Sequence, residues 1–130
     1  MKNDRLETLG KIHAFEELVS MCDQVLCPIR DRFVGKMYIR ECTMPARTMV
    51  VSKMHKTEHP FVISQGKISV FTEDTGWVLM EAPFTGVTIP GTKRILFAHE
   101  DTVWTTFHVT DKTTAEEVEK DIIVHKELEI

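Results

Sequence analysis

The stretch K-M-H-K-T-E-H-P-F-V-I-S-Q-G, residues 53–66, and its counterpart I-P-G-T-K-R, residues 89–94, hold most of the side chains in this chain that can bind or react. Both lie in short alternating runs. In a strand expected over residues 48–55, Met49, Val51, Lys53 and His55 share one face and Val50, Ser52 and Met54 the other. Residues 59–64 and 67–72 read as strands on either side of Gln65-Gly66, where glycine supplies the positive φ of a tight turn. Further strands are expected over 36–42, 77–81, 94–98 and 102–110, with turns at 43–47, 73–76, 83–86 and Pro90-Gly91. Strands this short, with a turn about every eight residues, predict an all-β sandwich or barrel. Residues 27–35, with Pro28, Asp31 and Gly35, read as a connector.

Helices are expected at both ends. Leu6, Leu9, Ile12, Phe15, Val19, Cys22 and Leu26 recur at steps of three or four, one apolar stripe of a helix over residues 4–26. Asn3 or Asp4 is its expected cap and Pro28 its stop. Thr114 suits the N-cap of a second helix over 115–125, whose first turn carries Glu116 and Glu117 and whose stripe carries Val118, Ile122 and His125. The tail from 126 to 130 is expected to fray.

A chain of 130 residues is long enough for one core, so a single domain is expected: a helix over 1–27, a β-barrel over 36–110 and a helix over 114–125. A net charge of -4 argues against a nucleic acid polymer as partner, because phosphate neutralisation needs clustered Lys and Arg. No apolar run approaches the roughly 20 residues that span a bilayer, so no membrane association is expected. Acidic residues near the N-terminus argue against export, and Cys22, Cys27 and Cys42 read as reduced thiols of a cytoplasmic protein, with a Cys27–Cys42 bridge as the alternative. No Ser-His-Asp arrangement, phosphate-cradling glycine loop or cysteine-pair zinc spacing occurs.

The region from 37 to 109 resembles a single cupin domain. His59 and Gly66 stand at the spacing of the Glu and Gly in the first cupin motif; His55 falls at the second His of its His-x-His pair and Lys53 at the first. Pro90-Gly91-Thr92-Lys93-Arg94 resembles the second motif, with Arg94 at its His position. The run H-K-T-E-H, P-G-T-K-R and A-H-E-D-T-V-W-T-T also resembles small cupin-like proteins of tailed bacteriophages, which would place the protein in the cytoplasm of a bacterial host. The resemblance implies a mainly β, jelly-roll β-barrel or sandwich with an N-terminal and a short C-terminal α-helix. Of the family's metal-holding positions, His55 is kept and His59 replaces Glu with another ligand type. Lys53 and Arg94 offer donors and positive charge instead of lone pairs.

Two constellations follow. His55 and His59, completed by His99 or Glu58, suit one divalent ion of Zn, Mn, Fe or Ni. Lys53, Lys56, Lys93, Arg94 and Arg40 suit an anion instead, unless Lys56 and Lys93 are solvated loop residues and Arg94 pairs with Glu58 or Glu100. Trp104, Thr106 and His108 share one face of the last strand; Trp104 and His108 either line the cavity or lie in a dimer seam. His99-Glu100-Asp101 either serves the barrel mouth or caps its turn. An open sheet edge and the stripe of the first helix both need cover, so a homodimer is expected. The expected function is binding of a small polar or anionic ligand in the barrel mouth, with or without a metal held by the histidines. The alternatives are a metal-dependent isomerase, epimerase or dioxygenase acting on a sugar-like molecule or small organic acid, and a non-catalytic phage protein that sequesters a nucleotide signal or plays a structural role.

Overall fold

The structure, a computed structural model, describes residues 2–127. In chain order the elements are α1 (Lys2–Ser20), β1 (Ile29–Val34), β2 (Met37–Met44), β3 (Met49–Val51), β4 (His59–Gln65), β5 (Lys67–Thr72), β6 (Gly76–Glu81), β7 (Phe84–Thr88), β8 (Ile95–Ala98), β9 (Thr102–Val109) and α2 (Ala115–Ile122). The strands form two antiparallel sheets, ordered β1-β2-β9-β4-β7 and β3-β8-β5-β6. Alternation decides what lies between them. Met44, Phe61, Ile63 and Trp104 from the first sheet meet Ile68, Val70, Leu96 and Ala98 from the second in one core. This is the mainly β jelly-roll arrangement, with a helix at each end, that the cupin resemblance implies; the alternating runs predict its sandwich of short strands.

Most strands match the periodicity. The turn expected over 83–86 instead begins β7 (Phe84–Thr88), and α2 stops at Ile122 rather than 125; three further elements differ for identifiable reasons. Residues 29–34 form a strand instead of a connector: all six residues of β1 are exposed, so an edge strand open on both faces carried no apolar alternation to read. The strand expected over 48–55 keeps only Met49–Val51, because at Ser52 a side-chain oxygen takes the Arg94 N–H in place of the backbone carbonyl. Ser52 N–H donates to Arg94 C=O at 2.8 Å, and Arg94 N–H donates to Ser52 Oγ at 2.8 Å. The first helix ends at Ser20, not 26, and its stripe is used only in part. Leu9 and Ile12 are buried, whereas Cys22 and Leu26 are exposed beyond its end. Asp4 lies inside its first turn.

Gly66 is the turn glycine the sequence predicts. It has φ +98°, and a Cβ there would sit 2.4 Å from the Asp101 carbonyl oxygen. Thr114 caps α2 by accepting from Glu117 N–H at 3.2 Å. Val118, Ile122 and Ile123 then pack on Tyr38, while His125 is exposed. From there the chain straps across the barrel: Lys56 N–H donates to Ile122 C=O at 2.6 Å and Val124 N–H to Met54 C=O at 2.9 Å. Fraying was expected from 126 onward. Glu127 is instead engaged, accepting from Met54 N–H at 3.2 Å, and residues 128–130 lie outside the described residues.

Candidate functional site

Strand register brings the histidines together. Tyr38 pairs with His108 between β2 and β9, and Phe61 pairs with Thr106 between β4 and β9. His59 precedes Phe61 by two residues on the same face, so it falls beside His108 on the inner surface. His55 arrives from the irregular segment after β3, where its carbonyl accepts from Gly91 N–H at 2.9 Å and its backbone bridges to Ile123. The ring centroids are 4.6 Å apart for His55 and His59, 4.3 Å for His59 and His108, and 5.6 Å for His55 and His108. One ring nitrogen of each lies within 4.8 Å of the other two.

Hydrogen bonding leaves lone pairs in this cluster. His59 Nδ1 is 3.1 Å from the Thr57 carbonyl oxygen, an acceptor, so Nδ1 carries the hydrogen and Nε2 keeps its lone pair. His108 Nε2 is 2.9 Å from Thr106 Oγ1, and its Nδ1 is buried with no hydrogen-bond partner among the described residues. Burial holds all three rings neutral. It pushes His108 down to about 3, with help from His59, His55 and Arg40. It pushes His55 down to about 4, with help from the charges of His59, Arg40, Arg94 and Lys53. His59 is lowered by burial against the opposing pull of the Thr57 carbonyl. Neutral imidazoles are the protonation state that ligates metal.

The cluster opens on a cavity of about 240 Å³ between the sheets, lined by Lys53, His55, Arg40, Arg94, Trp104 and His108 among others. Glu119 and Ile122 of α2 form part of its wall. Trp104 thus faces the barrel interior, stacked on Phe61 at 4.4 Å between centroids, because its pairing with Cys42 and Ile63 sets it on the inner face. Arg94 crosses from the second sheet to the first. Its guanidinium carbon lies 5.2 Å from the Phe61 ring centre and 5.6 Å from that of Trp104, and Nη1 donates to Thr88 Oγ1 at 3.1 Å. No carboxylate pairs with it among the described residues, and Nε is buried without a partner. Burial alone lowers Arg94 to about 10.

Other expected site residues stand elsewhere. Lys93, one residue before Arg94, points away from the cavity and is 3% exposed, so it is not a solvated loop residue. Its Nζ is 2.7 Å from Glu127 Oε1 and 3.2 Å from Glu16 Oε1, and donates to Ser52 C=O at 3.0 Å. A second cluster, His13, Glu16 and Glu127, is thereby filled by the Lys93 ammonium, tying α1 to the C-terminal strap. His99 is exposed, its Nε2 2.6 Å from Ser69 Oγ, remote from His55 and His59. Glu58 is exposed and outside the cluster. Asp101 accepts from Ala46 N–H at 2.8 Å, so it ties down the turn between β2 and β3 instead of capping its own. The third histidine beside His55 and His59 is therefore His108, and its signal was the parity of the last strand: Thr102, Trp104, Thr106 and His108 are all buried.

No protein-family model and no curated protein matches the chain. Solved structures do. Ectoine synthase from P. lautus superposes with a TM-score of 0.59 at 14% identity, covering 82% of this chain and 81% of that one. A cupin-2 domain containing protein from Shewanella frigidimarina gives 0.52 at 14% identity, over 73% of this chain and 91% of that one. Acetylacetone dioxygenase from Acinetobacter johnsonii gives 0.54 at 16% identity, over 64% of this chain and 59% of that one. Identities this low establish shared architecture, and with two facing antiparallel sheets around an inward histidine cluster the chain has the cupin fold.

Proposed function

We propose that the chain binds one divalent metal ion through His55, His59 and His108 and, next to it, a small polar or anionic ligand in the barrel cavity. The convergence of three neutral imidazoles, two of them at the cavity wall, carries this reading, and it includes a buried His108 nitrogen without a partner among the described residues. An all-nitrogen set suits Zn, Fe or Ni and admits Mn. A bound ion would supply Lewis-acid polarisation of a ligand oxygen. The chain's own residues hold the ligand: Lys53, Arg40 and Arg94 set a positive field, Trp104 offers a flat apolar wall, and α2 with Ile122 shields one side from water. A metal-dependent reaction on a small organic acid is the catalytic form of this proposal, favoured by the dioxygenase and synthase among the structural neighbours. The expected homodimer would form on the free edge of β1, exposed at every residue.

The test is metal content after growth in metal-supplemented medium, read by elemental analysis and by titration of stripped protein. One equivalent per chain is expected in the wild type and in His99→Ala, and a small fraction of that in His59→Ala. A wild type that takes up no metal, or a His59→Ala protein that keeps a full equivalent, overturns the reading.

A further inference from the structure

Arg94 is a half-buried cation that no anion pairs with among the described residues. Its guanidinium is held between Phe61, Trp104 and Thr88, so it cannot swing out to bulk water without undoing that packing. A buried charge is tolerated when it is paired, and among the described residues no carboxylate pairs with this one. The surroundings add positive charge: Arg40 and Lys53 line the same cavity, where Glu119 is the acid that faces them. Any metal on the histidines would add two more positive charges. Both states of the site therefore call for an anion.

The rest of the cavity narrows the class. Beyond its charged end the wall is apolar, with Met44, Val50, Leu96 and Trp104, whereas a sugar needs polar partners around its whole perimeter. The planar guanidinium fork matches a planar carboxylate. We infer that the ligand is a small organic acid whose single carboxylate pairs with Arg94 and whose apolar body lies against Trp104 and Leu96. This rests on the reading of the cavity as a ligand site, but it does not need the metal.

The experiment uses protein stripped by a chelating resin, and the same protein reloaded with Zn or Mn. Thermal-shift and calorimetric titrations compare benzoate, its neutral counterpart benzamide, inorganic phosphate and glucose. Benzoate is expected to raise the unfolding midpoint in a concentration-dependent way, with benzamide and glucose inert and phosphate weaker. In Arg94→Gln the benzoate affinity should fall about 10- to 100-fold, the loss of one charge-assisted interaction. Removing an unpaired, half-buried cation should leave the ligand-free midpoint of Arg94→Gln at or above that of the wild type, so lost binding is not lost folding. Arg94→Lys should restore part of the affinity. Equal binding of benzoate and benzamide, unchanged benzoate binding in Arg94→Gln, or glucose binding in place of carboxylate overturns the inference. Phosphate binding as tightly as benzoate overturns the apolar half of it. Metal uptake without carboxylate binding in either form sinks this inference and spares the metal reading; carboxylate binding without metal uptake does the reverse.

Discussion

The metal-free protein should lose stability steeply between about pH 6.5 and pH 5, and His108 should account for a large part of the loss. In the unfolded chain histidine titrates near about 6.5. In the folded chain burial lowers His108 to about 3 and His55 to about 4, and lowers His59 as well. The folded values are depressed, so the stability is whole above the unfolded value and drains as pH falls toward the folded ones. Through that window the unfolded state takes up protons that the native state refuses. Each refused proton costs about 1.4 kcal/mol per pH unit, so by about pH 5 each fully depressed histidine costs about 2 kcal/mol relative to neutral pH. That figure is an upper bound for rings that border an open cavity. Even half of it, counted for two rings, is a sizeable share of the roughly 5–15 kcal/mol that holds a domain folded. Urea unfolding of resin-stripped protein across this range measures it, in the wild type and in His108→Gln, which keeps a polar ring-sized group without the titration. The substitution should flatten the pH dependence by about 1–2 kcal/mol over the window. A His108→Gln protein whose stability falls with pH as steeply as that of the wild type would refute the reasoning, because the buried cluster would then not be the group that resists protonation.

Two further expectations concern the frame around the site. Lys93→Met should destabilise the protein by about 3 kcal/mol in urea unfolding, since it leaves Glu16 and Glu127 close together without the ammonium that joins α1 to the strap; a change below about 0.5 kcal/mol would show that the pairing carries no net stability. Gly66→Ala should cost at least about 2 kcal/mol, because φ +98° disfavours a side chain and its Cβ meets the backbone of Asp101 at 2.4 Å. An unchanged thermal midpoint would mean the β4–β5 turn relaxes freely.

Where side chains alternate in and out, the amino-acid order already specifies architecture. The runs around Phe61-Val62-Ile63 and Ile68-Ser69-Val70, with Gly66 between them, imply two strands joined by a tight turn before any coordinates are known, but not that the turn carries the chain from one sheet to the other instead of closing a hairpin; Thr114 with Val118 and Ile122 implies the second helix. Local chemistry also singled out His55, His59, Arg94 and Arg40. What it could not separate was Lys93 from Arg94, or His99 from His108. Adjacent residues of like charge look alike in one dimension, yet the backbone turns Lys93 out to Glu16 and Glu127 and Arg94 in to Phe61 and Trp104. His99 is closer to His59 along the chain, but it follows β8 in the opposite sheet, beside Ser69.

Period-two patterning, turn glycines and capping residues act over a few neighbours, so the sequence by itself determined the two-sheet architecture and which side chains could serve a site. Which of them do meet depends on the register of β4 and β2 against β9, and on the strap laid over His55 by residues near Ile123. Those pairings join positions about forty to seventy residues apart. Their free energy comes from packing the whole sheet at once, so only the tertiary structure decided that His108 joins the cluster and that Arg94 lies half-buried, with no counter-ion among the described residues.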